Sequence, residues 1–383
     1  MDLRCPPTLF RKHSPTALNS TLKRTSSTYL LTIVCSQYQL PSRKQKHRMP
    51  LQKNPNRTCS IAPMMSYTDR HFRHFVRLMS KRTLLYTEMV VSGTIIHNLS
   101  SEYLDKILGF DTDQPPLAVQ LGGDCPDELE TAARVCEDYG YQEINLNIGC
   151  PSDRVQKGSF GAVLMKTPEK VADLYHRMQR VVQIPVTVKH RIGVDDLDSY
   201  EFLSNFVDTV SKAGCRSFSI HARKAWLKGL SPAQNRSVPP LDYERVYQLK
   251  ADFPDLEIVL NGGIDSLDQA RLHLEKVDGV MIGRAAYRHP LLCQHVDEML
   301  FNDHSNKAIT TGELLCAFQD YMNRELSRGT PASSILRHLL GFFKGEKGSR
   351  IWRQRITSFI QTKEPITDLA LLYDETIGRF KDE

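Results

Sequence analysis

The sequence lacks any apolar run long enough to cross a bilayer. A membrane-spanning helix needs roughly 18 to 20 consecutive apolar residues. The longest apolar stretch, residues 29–35, is much shorter and is interrupted by Thr32. The sequence therefore predicts no membrane partner.

The chain also lacks paired cysteines. It has nine cysteines, an odd number, and none of them form a Cys-x-x-Cys pair. Zinc sites and the disulfide frameworks of small secreted domains need regularly spaced pairs. The pattern predicts no bound metal and a reducing environment.

Acidic residues are nearly absent from residues 1–58. This segment holds eleven Lys or Arg and one acidic residue, Asp2, whereas the remainder holds 39 basic and 43 acidic residues. A basic leader rich in Ser, Thr and Pro is typical of an organelle transit peptide. The predicted location is a plastid or mitochondrion. The alternative is a disordered basic arm on a cytoplasmic protein.

From residue 59 onward, short β-type runs alternate with helical patterns. Spacings of about 25 to 40 residues leave room for a crossover helix after each run, so the strands should be parallel. Eight such units predict a closed (β/α)8 TIM barrel over residues 59–308. The runs are residues 59–64, 84–89, 117–121, 142–147, 185–191, 216–221, 257–261 and 279–282, and helical patterns between them include 126–140, 167–182, 200–214 and 266–276.

The alternation stops after about Pro290. Helical patterns at residues 311–329, 333–343 and 348–360 predict a C-terminal helical domain over 309–383. Residues 333–355 carry six basic side chains and one acidic side chain. This imbalance favours a surface that binds phosphates, with a plainly solvated helix face as the alternative.

Polar residues stand where most of the predicted strands end. In a (β/α)8 barrel these ends meet at the active-site mouth, and the loops after strands 7 and 8 commonly bind a phosphate. There the sequence reads Asn261-Gly262-Gly263 and Gly283-Arg284. The Gln120 amide suits the donor and acceptor edge of a flavin, and Lys189 would stabilise the charge of the reduced ring. The pattern favours a flavin mononucleotide over a sugar phosphate.

A Gly-Cys-Pro turn follows strand 4 and should hold the Cys150 thiol at the mouth. A free thiol is mostly protonated at neutral pH, so it can act as a general acid. A nucleophilic role would need a base such as His190 or His221. A buried structural cysteine is the other alternative.

The run 147–165, NIGCPSDRVQKGSFGAVLM, resembles the active-site segment of the tRNA-dihydrouridine synthases. The segments 221–243 and 337–353 are similar to the subgroup that acts on uridines 20 and 20a of the tRNA D-loop. The resemblance covers residues 59–360 and does not include the leader. Further matches are 62–64 (Ala-Pro-Met), 119–123 (Val-Gln-Leu-Gly-Gly), Val188-Lys189 with Arg191, Asn261-Gly262-Gly263 and Gly283-Arg284.

The resemblance implies an NADPH-dependent reduction of the uridine C5–C6 bond. Hydride would reach C6, Cys150 would deliver a proton to C5, and Asn147 would hold the uracil edge. Residues implied to bind FMN are Pro63, Met64, Gln120, Lys189, His221, Asn261, Gly262, Gly263, Gly283 and Arg284. Residues implied or expected to contact the tRNA partner are Arg191, Arg223, Lys224, Lys228, Arg236, Arg337 and His338. A monomer is expected.

Two other function classes remain open. An FMN-dependent dehydrogenase or reductase of small molecules would share the phosphate loops and Lys189. It would not explain the basic helical tail or the thiol loop. An RNA-binding protein without turnover would keep the barrel but would not be yellow when purified.

Overall fold

A computed structural model describes residues 54–100, 102–305, 308–362, 366 and 368–380. All but the last five residues of the predicted leader lie outside the described residues, and the expectations of an import signal and of a basic arm lie there with them.

The described chain contains a closed barrel of eight parallel strands. Neighbours in the barrel follow chain order, and β8 pairs with β1 to close the sheet. The predicted (β/α)8 architecture is confirmed, and the sequence placed β7 and β8 at the observed bounds. The strands are β1 (Cys59–Ile61), β2 (Leu84–Val91), β3 (Leu117–Gly122), β4 (Glu143–Ile148), β5 (Val186–Arg191), β6 (Ser217–His221), β7 (Glu257–Asn261) and β8 (Gly279–Ile282).

Helices connect the strands and cover the outside of the barrel. Several begin at a side chain that accepts hydrogen bonds from the first free amides, as Asp69 and Ser199 do. The helices up to residue 301 are α1 (Arg70–Met79), α2 (Ser92–Ile96), α3 (Tyr103–Leu108), α4 (Pro126–Asp138), α5 (Asp153–Lys157), α6 (Pro168–Gln179), α7 (Tyr200–Lys212), α8 (Tyr243–Asp252), α9 (Leu267–Leu274), α10 (Arg284–Arg288) and α11 (Val296–Phe301).

The C-terminal part is helical, as the sequence predicts. Thr310 and Glu313 form a reciprocal capping box at the start of the first helix of this part. Within the described residues the helices are α12 (Thr311–Ser327), α13 (Ala332–Leu336), α14 (Ser349–Thr362) and α15 (Leu369–Thr376).

One helix prediction is wrong in extent. The sequence predicts a helix over residues 333–343, but α13 ends at Leu336. The chain then continues as turns in which an amide bonds the carbonyl three residues earlier. These turns include Gly345, whose φ of +98° is left-handed and easily adopted by glycine, and they continue to the start of α14. The apolar residues of this stretch, including Phe342 and Phe343, are still buried. Hydrophobic periodicity alone therefore did not distinguish the turns from a helix.

The apolar core lies mainly between the sheet and the helices, and the barrel interior is partly polar. A small interior cluster contains Tyr86, Ala118, Val259 and Met281. The bottom of the barrel is closed by Arg57, which donates to Glu143 at 2.7 Å and to Glu257 at 2.8 Å. Arg57 is 3% exposed, so this residue of the predicted basic leader belongs to the barrel.

The C-terminal helices contact the barrel through α1. Asp69, the N-cap of α1, pairs with Arg337 and lies 3.0 Å from His338 Nε2. The His74 ring stacks on Tyr321 of α12, with 3.9 Å between ring centroids. A search for helices that could span a bilayer finds none among the described residues.

Candidate active site

Gln120 and Asn147 meet inside the barrel mouth, where β3 and β4 end. Asn147 Nδ2 donates to Gln120 Oε1 at 2.8 Å. The side-chain oxygen of Asn147, Oδ1, accepts from the backbone amides of Gly149 at 3.0 Å and Cys150 at 2.9 Å. A single side chain therefore links the predicted flavin-edge residue to the thiol turn. Asn147 Oδ1 already accepts two hydrogen bonds from this turn.

A buried polar chain continues below Gln120. Gln120 Nε2 donates to Asn145 Oδ1 at 2.8 Å, and Asn145 Nδ2 donates to Thr187 Oγ1 at 2.9 Å. The Thr187 hydroxyl then donates to Glu143 Oε1 at 2.7 Å. Each amide has a distinct donor and acceptor partner, so the chain fixes which atom of Gln120 faces which neighbour.

The Cys150 turn is held from two further directions. Its carbonyl accepts from Ala162 N at 2.9 Å, and a Cβ at Gly161 would lie 2.5 Å from that carbonyl oxygen. Gly161 also has a φ of +75°, so this return of the loop requires glycine. The thiol is half-buried, with Sγ 3.5 Å from Ser152 Oγ. The alternative of a fully buried structural cysteine does not describe this site.

Arg191 supports the same turn from beneath. Its Nε donates to Gly149 O at 2.8 Å, and its Nη1 donates to Asn235 O at 3.0 Å and to Lys224 O at 3.1 Å. Burial lowers the pKa of Arg191 to about 10. Although Arg191 was predicted as a substrate contact, the structure places these donors on the loops after β4 and β6.

Lys189 lies at the end of β5 and faces the mouth. Its Nζ donates to Asn261 Oδ1 at 3.0 Å, and Asn261 Nδ2 donates to Met281 O at 2.7 Å. Burial and the neighbouring Arg191 lower the pKa of Lys189 to about 7. An ammonium here lacks a carboxylate partner among the described residues, so an anionic ligand would favour its charged form.

Two glycines after β7 form a tight turn packed against His221, Leu241 and Tyr243. Gly262 and Gly263 have φ values of +119° and +70°, which residues other than glycine rarely adopt. A Cβ at Gly262 would lie 2.8 Å from His221 Cδ2. Tyr243 fixes the turn by donating to Gly262 O at 2.8 Å. After β8, Gly283 is the N-cap of the short helix α10.

Positive charge is concentrated between β6 and β8. The pKa of His221 lies well below its usual value because the ring is desolvated and because cations surround it. The pKa of Arg284 is lowered by burial, then by Arg288 and Arg236. Mutual repulsion of this kind indicates a site for an anion. The cations that lower the pKa of His221 are Arg191, Lys189, Arg223 and Arg284.

Several predicted contacts already have partners. Arg223 donates to Pro239 O, and Arg284 donates to Arg236 O at 2.9 Å. Lys224 pairs with Asp198 at 2.6 Å and lies over the Trp226 ring. These pairs order the loop after β6.

Pro63 and Met64 follow β1 and are half-buried at the mouth. Met64 packs against the interior cluster, and its amide donates to Thr68 Oγ1 at 3.0 Å. Lys228 is exposed on the loop after β6. His190, proposed as a base for a nucleophilic thiol, is buried against Phe206 of α7 on the outer side of the sheet.

The structure places Arg337 and His338 on Asp69, the N-cap of α1. His338 is 2% exposed. The joint contribution of these two residues in the structure is to hold the C-terminal helices against α1. As tRNA contacts they remain predictions.

His74, Asp111 and Asp113 bring three potential metal-ligand atoms together among the described residues. His74 Nδ1 lies 3.5 Å from Asp113, whose pKa this contact lowers, and Asp111 pairs with Arg70 at 3.4 Å. Arg70 and Arg328 thus already place positive charge beside Asp111.

The sequence reading missed the residues below the mouth and the clamp at Asp69. Glu143, Asn145 and Asn147 alternate along β4, and alternate residues of a barrel strand face its interior. That period-two row of polar side chains is the signal that would have found Asn145 and Glu143. Asp69 carried no comparable signal, because its partners are about 270 residues away in the sequence.

The fold and this mouth define a β/α-barrel enzyme. The model of the dihydrouridine synthase (Dus) family matches residues 60–377. The chain therefore belongs to the dihydrouridine synthase family, which places it among the flavin-dependent oxidoreductases. The match begins just after the predicted leader.

Curated bacterial proteins are similar over most of the chain. The tRNA-dihydrouridine(20/20a) synthase of Shewanella oneidensis is 53% identical over 80% of this chain and 89% of its own length. The protein of that name from Vibrio parahaemolyticus is 51% identical over 82% of this chain and 94% of its own length. The protein of that name from Escherichia coli K12 is 53% identical over 78% of this chain and 85% of its own length.

Proposed function

We propose that this protein reduces the C5–C6 bond of uridines 20 and 20a in tRNA, with FMN as its bound flavin and NADPH as its reductant. The observation that carries the proposal is the Asn147 side chain, which ties the Cys150 turn to Gln120 within one hydrogen-bonded unit. Relatives more than 50% identical with that named activity support it.

The residues at the mouth fit a flavin mononucleotide. The turn at Gly262 and Gly263 has positive φ values and follows β7, where the loops of a β/α barrel commonly bind a phosphate through backbone amides. Arg284 and His221 lie in an excess of positive charge that a phosphate would neutralise. Gln120 and Lys189 offer an amide and a cation to the ring edge. The remaining FMN contacts implied by the resemblance are Pro63, Met64, Asn261 and Gly283.

FMN, when bound, supplies the two-electron chemistry that carries hydride to the pyrimidine. The contribution of the chain is to place the uracil and to give it a proton. Cys150 carries a transferable proton on a half-buried sulfur at the mouth, which suits delivery to C5. Asn147 and Arg191 position that sulfur through the backbone of residues 149 and 150.

A uridine in folded tRNA is stacked and must be extruded into the mouth, at a cost of a few kcal/mol. Contacts with other parts of the tRNA must offset this cost. The basic loop after β6 and the C-terminal helices are the proposed contact surfaces. In α14 the sequence has three arginines and no acidic residue. We propose residues 309–383 as the tRNA-binding part and residues 59–308 as the catalytic part.

The experiment compares substrates. NADPH oxidation by the purified yellow holoenzyme should rise with unmodified tRNA and not with free uridine, orotate or small enones. Stimulation by a small molecule alone would favour the small-molecule reductase instead. A colourless protein that binds tRNA without turnover would favour the RNA-binding alternative. The three outcomes separate the three classes.

A further inference from the structure

We propose that a cavity beside Arg284 and helix α10 binds a second nucleotide of the tRNA, next to the one that is reduced. The inference rests on the proposed function and names a recognition site within it. The cavity has a volume of about 210 Å³. Its lining residues are Tyr67, Arg284, Tyr287, Arg288, Gly341 and Lys344.

The cavity joins the barrel mouth to the C-terminal part. Arg284 and Arg288 stand at the two ends of α10, directly after β8. Lys344 and Gly341 come from the turns that follow α13. A ligand seated here would touch the rim of the mouth and the C-terminal helices at once. A chain entering the mouth can reach both.

The charge of the cavity suits a phosphate. Three of the six lining residues are cationic and none is acidic. Carboxylates in this region have partners: Asp69 pairs with Arg337, Glu88 accepts from the Ser66 amide at 2.5 Å, and Asp265 interacts with Arg284. Lys344 and Arg288 are exposed. Their charges are therefore open to an incoming anion.

Two aromatic rings suit a base. Tyr67 is 38% exposed, and its ring centroid lies 4.3 Å from that of Tyr287. Tyr287 in turn rests on Phe72, at 5.1 Å, so the pair is supported from behind. Single-stranded nucleotides bind to such combinations of exposed ring and cation, because every base has a face that can stack.

The size favours one nucleotide of a longer chain over a whole dinucleotide cofactor. Sites that enclose complete small-molecule ligands usually measure about 300 to 1,000 Å³. A cavity of about 210 Å³ is smaller than that range. An adenosine phosphate of the reductant is the competing occupant, and the experiment distinguishes it.

The test uses the holoenzyme with Arg288→Gln, Lys344→Gln and Tyr67→Ala, each beside wild type. Lys212→Gln on α7 is the matched control, because its side chain is 74% exposed and lies on a helix that does not line the cavity. Four quantities are measured: direct tRNA binding at several salt concentrations, kcat and KM for tRNA, FMN content, and the rate of flavin reduction by NADPH without tRNA.

Each cation variant should weaken tRNA binding and lower the slope of log affinity against log salt by roughly 0.7 to 0.9. Tyr67→Ala should weaken binding about tenfold at an unchanged slope, and Tyr67→Phe should restore it. FMN content and flavin reduction should match wild type in all variants. Lys212→Gln should change none of the four quantities.

Unchanged tRNA affinity in the three variants would overturn the proposal. So would slower flavin reduction by NADPH, which would assign the cavity to the reductant, or loss of FMN, which would make it part of the flavin site. A wild-type protein that binds tRNA but does not reduce it would refute the proposed function. In that case the tRNA-binding data of the variants would still show whether the cavity binds a nucleotide of the tRNA.

Discussion

Asn147 Nδ2 lies 2.8 Å from Gln120 Oε1, while Asn147 Oδ1 holds the backbone amides of the Cys150 turn. The two halves of one amide therefore serve two functional groups. In the proposed reaction, the residue that addresses the flavin edge and the residue that donates the proton are positioned by the same side chain.

Replacing Asn147 by Asp should separate these two tasks. A carboxylate still accepts from the two amides, but it cannot donate to Gln120 Oε1 and places two acceptors face to face. An unpaired buried group costs about 1 to 3 kcal/mol, so we expect flavin affinity to fall by about tenfold or more. Flavin fluorescence titration measures this. Asn147→Ala should lose dihydrouridine formation as well, and equal behaviour of the two variants would contradict the division.

Cys150→Ala should stop dihydrouridine formation almost completely. The substitution removes the proposed proton and leaves every other contact of the turn in place, because the turn is held by backbone atoms. Flavin content and NADPH oxidation should persist. Mass spectrometry of the tRNA product measures the effect, expected to be a rate loss of about 100-fold or more. Wild-type rates in the variant would mean that water or another group supplies the proton.

Lys189 should give the flavin-free protein a distinct pH dependence. Its pKa is about 7 when folded and near 10.5 when unfolded, so between these values the unfolded chain binds more protons. The stability cost of burying Lys189 is thus largest below pH 7 and declines as the pH rises toward 10.5. Lys189→Met should lack this contribution.

Urea unfolding of both flavin-free proteins at pH 6 and pH 9 tests this. The gain in unfolding free energy on substitution should be larger at pH 6. Lys212→Met, at an exposed position, provides the control. An equal difference at both pH values would show that Lys189 keeps its charge when buried. Lys189→Met should also weaken FMN binding, because it removes the positive charge that we propose lies beside the ring.

Asp69→Ala should destabilise the protein by about 2 to 4 kcal/mol. The substitution removes the N-cap of α1 and the partner of Arg337 and His338. Asp69→Asn retains the cap and isolates the ion pair. Since these contacts lower the pKa of Asp69 below its usual value, its stabilisation is present above about pH 4 and is lost as the pH falls. Thermal unfolding of both variants measures the two parts.

A comparison of Asp69→Asn with Arg337→Ala decides what Arg337 does. Arg337→Ala is predicted to weaken tRNA binding and to flatten its salt dependence. If Arg337 only docks the C-terminal helices, Asp69→Asn should weaken tRNA binding as much and neither should change the slope. A flatter slope in Arg337→Ala alone would assign Arg337 to the tRNA interface.

The strands and the mouth residues were predictable because they depend on local patterns. Runs such as residues 257–261 and 279–282 are short, β-rich and bounded by polar turns, so their bounds followed directly. The barrel rule then placed Gln120, Lys189 and Asn261 at one end. At these positions the residue type and its place at a strand end were enough to predict a site residue.

What the sequence did not indicate depends on contacts between distant segments. Arg57 was assigned to a basic leader because its partners Glu143 and Glu257 are remote in sequence. Arg337 and His338 were predicted to bind tRNA phosphates, and the structure shows that both side chains contact the Asp69 carboxylate. A basic side chain near a predicted binding surface has the same sequence signature whether it faces solvent or a carboxylate.

The most direct test of the account is to map dihydrouridine after incubating an unmodified tRNA transcript with the holoenzyme and NADPH. The account predicts a gain of two hydrogen atoms at uridines 20 and 20a, no gain at other uridines, and no gain with Cys150→Ala. An unmodified product, or reduction at other positions only, would contradict it.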